Sequence, residues 1–201
     1  MNSSTHWWSH LSLPMSIFTS PIAAMLTPTV AGGLIGYCTL PSKKHQLYSS
    51  IGRPRGYPPA WVFGPVWTLL YASMGYASYR ATIAGLYSPS SSVRHLAHLS
   101  QSLYTVQLAA NLAWMPLFFG FRKPFAALMD IVLLTGMVLG LTWNYSHIDT
   151  VAAWLLVPYA AWLGYATYLN YGTGYLNQWD ISDATVEKRK GKEREKADND
   201  G

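Results

Sequence analysis

Three tryptophans stand inside long, almost chargeless stretches of this 201-residue chain: Trp61, Trp114 and Trp162. Asn111 precedes Trp114 by three residues and Ala166 follows Trp162 by four, so each pair shares a helix face. Together the tryptophans and Asn111 supply flat aromatic walls, indole N–H donors and one amide. Such a set suits a flat apolar ligand held by stacking and oriented by one or two hydrogen bonds. Trp162 lies near the middle of its apolar stretch, where the usual place of tryptophan at a membrane surface does not explain it. Asn111 and Trp114 also admit a plainer reading, as hydrogen-bonding glue between helices.

Other chemistries find little support. His6, His10, His45, His95, His98 and His147 all fall in expected loops or the N-terminal lead-in, and His95 with His98 lacks an acidic neighbour for a metal site. There is no Gly-rich phosphate loop, nucleophile elbow or Cys-x-x-Cys, so no catalytic residue, metal ligand or required cofactor is assigned. Asp130 is costly in hydrocarbon and reads as a structural acceptor rather than a proton carrier. Cys38 alone forms no intramolecular disulfide.

The elements that must position these residues follow from composition. Half the residues are hydrophobic and 11% are charged, against about 25% in soluble domains. Five apolar stretches, at about 21–40, 60–80, 102–119, 125–144 and 151–171, each fit a hydrocarbon core of about 30 Å. The expected fold is an all-α membrane protein, a five-transmembrane-helix bundle spanning 21–179, with an interfacial lead-in over 1–20 and a disordered charged tail over 180–201. On α-helical spacing, Trp61, Pro65, Thr68, Ala72 and Gly75 form one inner stripe, and Pro158, Trp162, Ala166 and Leu169 another. Twelve of the fourteen Lys/Arg fall on the first loop, the third loop and the tail, which puts the C-terminus in the cytosol. The tail's opposite charges nearly cancel, so nucleic acid is not an expected partner. Neither a basic signal sequence nor an arginine-dotted presequence opens the chain.

Two blocks of residues go further. Pro58-Pro59-x-Trp61-Val-x-Gly64-Pro-Val-Trp67-x-x-x-Tyr71-x-x-Met74-Gly75-Tyr76 and Asn111-x-Ala-Trp114-x-Pro116-x-Phe118-Phe119-Gly120-x-Arg122 resemble the second- and third-helix signatures of the translocator protein (TspO/MBR, tryptophan-rich sensory) family. Ala127-Leu-x-Asp130, Pro158-Tyr159-x-Ala-Trp162-Leu and Leu169-Asn170-Tyr171 resemble its fourth and fifth helices. The resemblance runs over about 20–179 and implies an often dimeric five-helix bundle that binds porphyrins, sterols and synthetic isoquinolines or benzodiazepines. Protoporphyrin IX or haem would be ligands rather than cofactors, and Trp61, Asn111, Trp114, Trp162 and Ala166 would line the pocket under the first loop as a lid. It implies the outer mitochondrial membrane, with the endoplasmic reticulum or another internal membrane as the alternative. A binding protein or sensor ranks ahead of a light- and oxygen-dependent porphyrin-degrading enzyme, since no acid–base pair lies within the spans, and ahead of a porphyrin or sterol transporter, since internal repeats are lacking. Ser102 and Val106 stand where animal members pack a dimer through Gly-xxx-Gly. Nothing basic follows Tyr171 until Lys188, which breaks the family's sterol motif.

Overall fold

A computed structural model of the chain describes residues 11–39, 51–182 and 185. Residues 1–10 of the lead-in, 40–50 of the first loop and nearly all of the tail expected to be disordered lie outside the described residues. The described part is all-helical: α1 (Met15–Thr19), α2 (Pro21–Thr39), α3 (Ala60–Leu86), α4 (Ser91–Met115), α5 (Pro124–Ser146) and α6 (Thr150–Leu176). A π-turn, Pro116–Gly120, continues α4.

Local sequence sets these boundaries. Pro59 stands immediately before α3 and Pro124 opens α5, positions where the missing N–H costs nothing. Asp149 caps α6, its Oδ1 accepting from the backbone N–H of Val151 at 2.8 Å and Ala152 at 3.1 Å. α3 is central, packing on α2, α4 and α6, while α5 is held between α4 and α6. Gly75 lets α2 and α3 meet closely, because a Cβ there would collide with the Ala24 carbonyl. The core runs through Tyr104, Leu134, Leu141, Tyr145, Leu156 and Leu163, each 1% exposed or less.

Two helices, Pro21–Thr39 and Pro124–Ser146, are long and apolar enough to cross a membrane by composition. The other long helices carry Trp, Tyr, Pro and amide side chains that lower hydropathy, with Arg80 on α3 and Arg94 on α4 their only Lys, Arg, Asp or Glu. Outward faces are oily regardless: Leu34 on α2, Leu69 on α3, Leu133 on α5 and Trp154 on α6 are all at least 60% exposed.

Three expectations need correction. The sequence puts residues 88–101 in a polar loop, yet α4 begins at Ser91 and carries His95 and His98, its polar first turns extending beyond the apolar run. The lead-in is not merely interfacial: α1 drives Phe18 fully into the core, edge-on to Tyr104 at 5.7 Å. Both helix stripes are met only in part, with Gly75 and Leu169 buried as expected. Pro65 and Pro158 face outward, while Tyr71 and Met74 of α3 and Tyr159 and Leu163 of α6 face inward. Helices flanked by neighbours and lipid are apolar all round, so periodicity alone leaves their rotation undetermined.

Candidate functional site

At the end of the bundle where α2 finishes and α3 begins, the helices separate around a cavity of about 400 Å³. Its volume falls within the usual range for small-molecule sites, about 300–1,000 Å³. Trp61, Asn111, Trp114, Trp162 and Ala166 all line it, so the structure brings together the five residues expected to form the pocket. Their situations differ greatly.

Trp61 sits at the rim, 74% exposed. Trp162 is half-buried at the wall, with Phe63 edge-on at 5.9 Å and Tyr165 at 5.6 Å. Its Nε1 is shielded from solvent and meets no acceptor among the described residues. A buried donor without a partner costs about 1–3 kcal/mol, which an acceptor on a bound molecule would recover.

Asn111 and Trp114 are already engaged. Tyr71 donates its hydroxyl to Asn111 Oδ1 at 2.6 Å, and Asn111 Nδ2 donates to Tyr159 Oη at 2.7 Å. Tyr159 in turn donates to Gln107 Oε1 at 3.2 Å. Four buried polar groups from α3, α4 and α6 thus satisfy one another across the back of the cavity. Trp114 Nε1 donates to Asn170 Oδ1 at 3.0 Å, and Asn170 Nδ2 donates to the Pro124 carbonyl at 2.9 Å. Of the two sequence readings, interhelical glue describes the bonds these side chains make, while their faces still form the wall.

Several lining residues escaped notice as site residues. Phe63, Trp67 and Tyr71 add aromatic rings to the lining, with Trp67 against Tyr71 at 5.3 Å and edge-on to Tyr159 at 6.2 Å. Trp67 and Tyr71 fall within the quoted motif, but the stripe drawn through Trp61 and Thr68 passed them by. Asp130 does not join the site: its Oδ2 is shielded and takes no hydrogen bond among the described residues.

The roof comes from the described end of the first loop, with Tyr57 lining the cavity. Residues 52–57 lie along α6. Gly52 and the Asn177 side chain exchange two hydrogen bonds, 3.0 Å to Asn177 Oδ1 and 2.9 Å from Asn177 Nδ2. Tyr168 donates to the Arg55 carbonyl at 3.0 Å and Tyr165 to the Gly56 carbonyl at 2.6 Å. Pro54 rests so closely on Gly172 that a Cβ there would come within 2.7 Å of it. Ile51, 6% exposed, anchors the segment in a second small core with Phe118, Ala127 and Ile181. Among the described residues no cluster of three or more His, Cys, Asp or Glu could hold a metal ion.

The pattern of the TspO/MBR family matches residues 24–176. The translocator protein homolog of Schizosaccharomyces pombe is 43% identical over 176 residues, 87% of this chain and 93% of that protein. The human translocator protein is 41% identical over 126 residues, 63% of this chain and 72% of its own length. A tryptophan-rich sensory protein of Cereibacter sphaeroides is 31% identical over 176 residues, covering 87% of this chain and 99% of its own.

Proposed function

We propose, from the premise that this chain belongs to the TspO/MBR family of integral membrane proteins, that its cavity binds flat apolar ligands of the porphyrin and sterol kind, as a sensor or binding protein. The observation that carries this is the aromatic chamber with one shielded, unanswered donor, Trp162 Nε1. Stacking against Trp162, Phe63 and Trp67 supplies affinity. The indole N–H then fixes which edge of the ligand, bearing a carbonyl, carboxylate or hydroxyl, turns inward. Because Asn111 and Trp114 are committed to protein partners, they shape the wall rather than contribute fresh hydrogen bonds.

In this reading α2 to α6 all span the bilayer. At about 1.5 Å per residue even α2, with 19 residues, covers about 29 Å. Trp143 and Trp154 at one end of the bundle, and Tyr171 and Tyr175 at the other, are exposed and form the two aromatic belts expected at membrane surfaces. The excess of Lys and Arg on the first loop, third loop and tail supports a roofed end that faces the cytosol. The outer mitochondrial membrane is the proposed location.

Titrating the purified protein with protoporphyrin IX tests the assignment. Trp162→Ala weakens binding tenfold or more, about 1.4 kcal/mol, and Trp162→Phe keeps the stacking while removing the donor. Unchanged affinity in both, with the fold intact, overturns the site.

A further inference from the structure

We infer that the chamber is loaded sideways from the bilayer, through the seam between α2 and α3, and not by lifting the described roof. The inference rests on the chamber being a ligand site, as proposed above, and concerns how the ligand reaches it.

The roof is fastened, not hinged, over residues 51–57. Its anchors are a buried isoleucine, the reciprocal Gly52–Asn177 pair, two tyrosine hydroxyls on successive carbonyls and the Pro54–Gly172 contact. Asn177 itself is fully buried and also donates to the Thr173 carbonyl at 2.7 Å, so letting go of Gly52 would strand a buried amide. Five separate attachments would have to break before this segment moved.

The seam is the opposite. α2 and α3 touch firmly where Gly75 meets Ala24 and where Gly32 meets Tyr71. Toward the end of α2 that contact lapses. Gly33 of α2 and Gly64 of α3 both line the cavity and are both exposed, and a Cβ built on either meets no described atom within 4 Å. Thr68 and Trp61 complete the α3 side, exposed and lining the same cavity. α2 is also lightly held, with only Ala24 and Pro28 buried among its residues. The rest of its outward surface, Ile22, Leu26, Val30 and Leu34, is apolar and more than half exposed, as a lipid-facing helix should be. An opening framed by apolar surface at this depth receives a molecule already dissolved in hydrocarbon. The occupant is therefore an apolar, lipid-partitioned ligand presenting a ring edge to the gap.

The full chain in phosphatidylcholine nanodiscs, mixed with protoporphyrin IX in a stopped-flow instrument and followed by tryptophan quenching, separates the two routes. Gly33→Leu/Gly64→Leu places two side chains in the mouth, where both have room, and slows association and dissociation together by about tenfold, the signature of a narrowed passage. Asn177→Ala, which removes the two Gly52 hydrogen bonds and so loosens the roof outside the chamber, leaves both rates within twofold. Raising the lipid content at fixed total protoporphyrin slows association in proportion, because the mole fraction in the bilayer sets the rate. Wild-type rates in the leucine pair, a tenfold acceleration in Asn177→Ala, or a rate indifferent to lipid content would each overturn the side route. Absence of any quenching in the parent protein overturns the ligand site itself, and the route with it.

Discussion

Where α3, α4 and α5 pass the short N-terminal helix, Phe18, Tyr104, Leu141 and Tyr145 close up until none exposes more than 1% of its surface. Toward the other end the same helices stand apart around about 400 Å³. The packed end is tied by links between helices: Ser73 Oγ donates to the Leu155 carbonyl at 2.8 Å, and Arg80 grips Asp149 at 2.9 Å. The open end sets its polar groups behind the cavity, on α3, α4 and α6, and leaves rings facing the space. Rigidity at one end and vacancy at the other arise from one set of helices, by choice of side-chain size and by glycines on α2 and α3. What this teaches is that the bundle need not be loose throughout to hold a chamber.

Truncations at the two ends should therefore differ most. Leu141→Ala lowers stability by about 2 kcal/mol, mostly the cost of an unfilled cavity, since lipid is as apolar as the core it replaces. Unfolding in mixed detergent micelles measures it, and a loss as small as that of rim residue Trp61→Ala would erase the contrast. Trp162→Ala should behave in reverse, costing little stability but the tenfold in protoporphyrin affinity given above. Tyr159→Phe lies between the two: it cuts the link from Asn111 to Gln107 and costs about 1 kcal/mol of stability, read in the same unfolding titration. Equal effects of Tyr159→Phe and Tyr71→Phe on ligand affinity would show that the chain of hydroxyls and amides, not Tyr71 alone, sets the wall.

The smallest effect belongs to the packed end's charge pair. Burial of Asp149 opposes its ionisation, but the N–H groups of Ala152 and Val151 and the Arg80 guanidinium outweigh it, so its carboxyl stays below the usual range. A depressed carboxylate stabilises the fold fully above the ordinary value near 3.9 and loses that contribution as pH falls below it. A double-mutant cycle on Arg80 and Asp149 should return about 0.5 kcal/mol at neutral pH and nothing once the acid is protonated. A coupling that survives at low pH would contradict the pairing.

Much of this was readable from the chain, and the reason is physical. Prolines at helix starts, a capping aspartate and long apolar runs fix where helices lie, and α2, α3, α5 and α6 begin within a residue of their expected places. The five site residues do meet at one cavity. What sequence could not supply was rotation about each helix axis, since Pro65 and Tyr71 sit on stretches equally apolar on every side. Nor could it show that Asn111 spends its amide on two tyrosines, because those partners lie 40 and 48 residues away. α1 is too short, and the start of α4 too polar, to stand out by hydropathy.

The fastening of residues 52–57 to α6 has a consequence for biosynthesis. A ribosome releases the roof early, but Tyr165, Tyr168, Gly172 and Asn177 emerge only with the final helix, as do Trp162 and Ala166. Until then the nascent chain lacks the α6 wall and the anchorage of its ceiling at this end. A product stopped before residue 162 would insert its earlier helices without this wall, so synthesis of α6 is the step that closes the chamber.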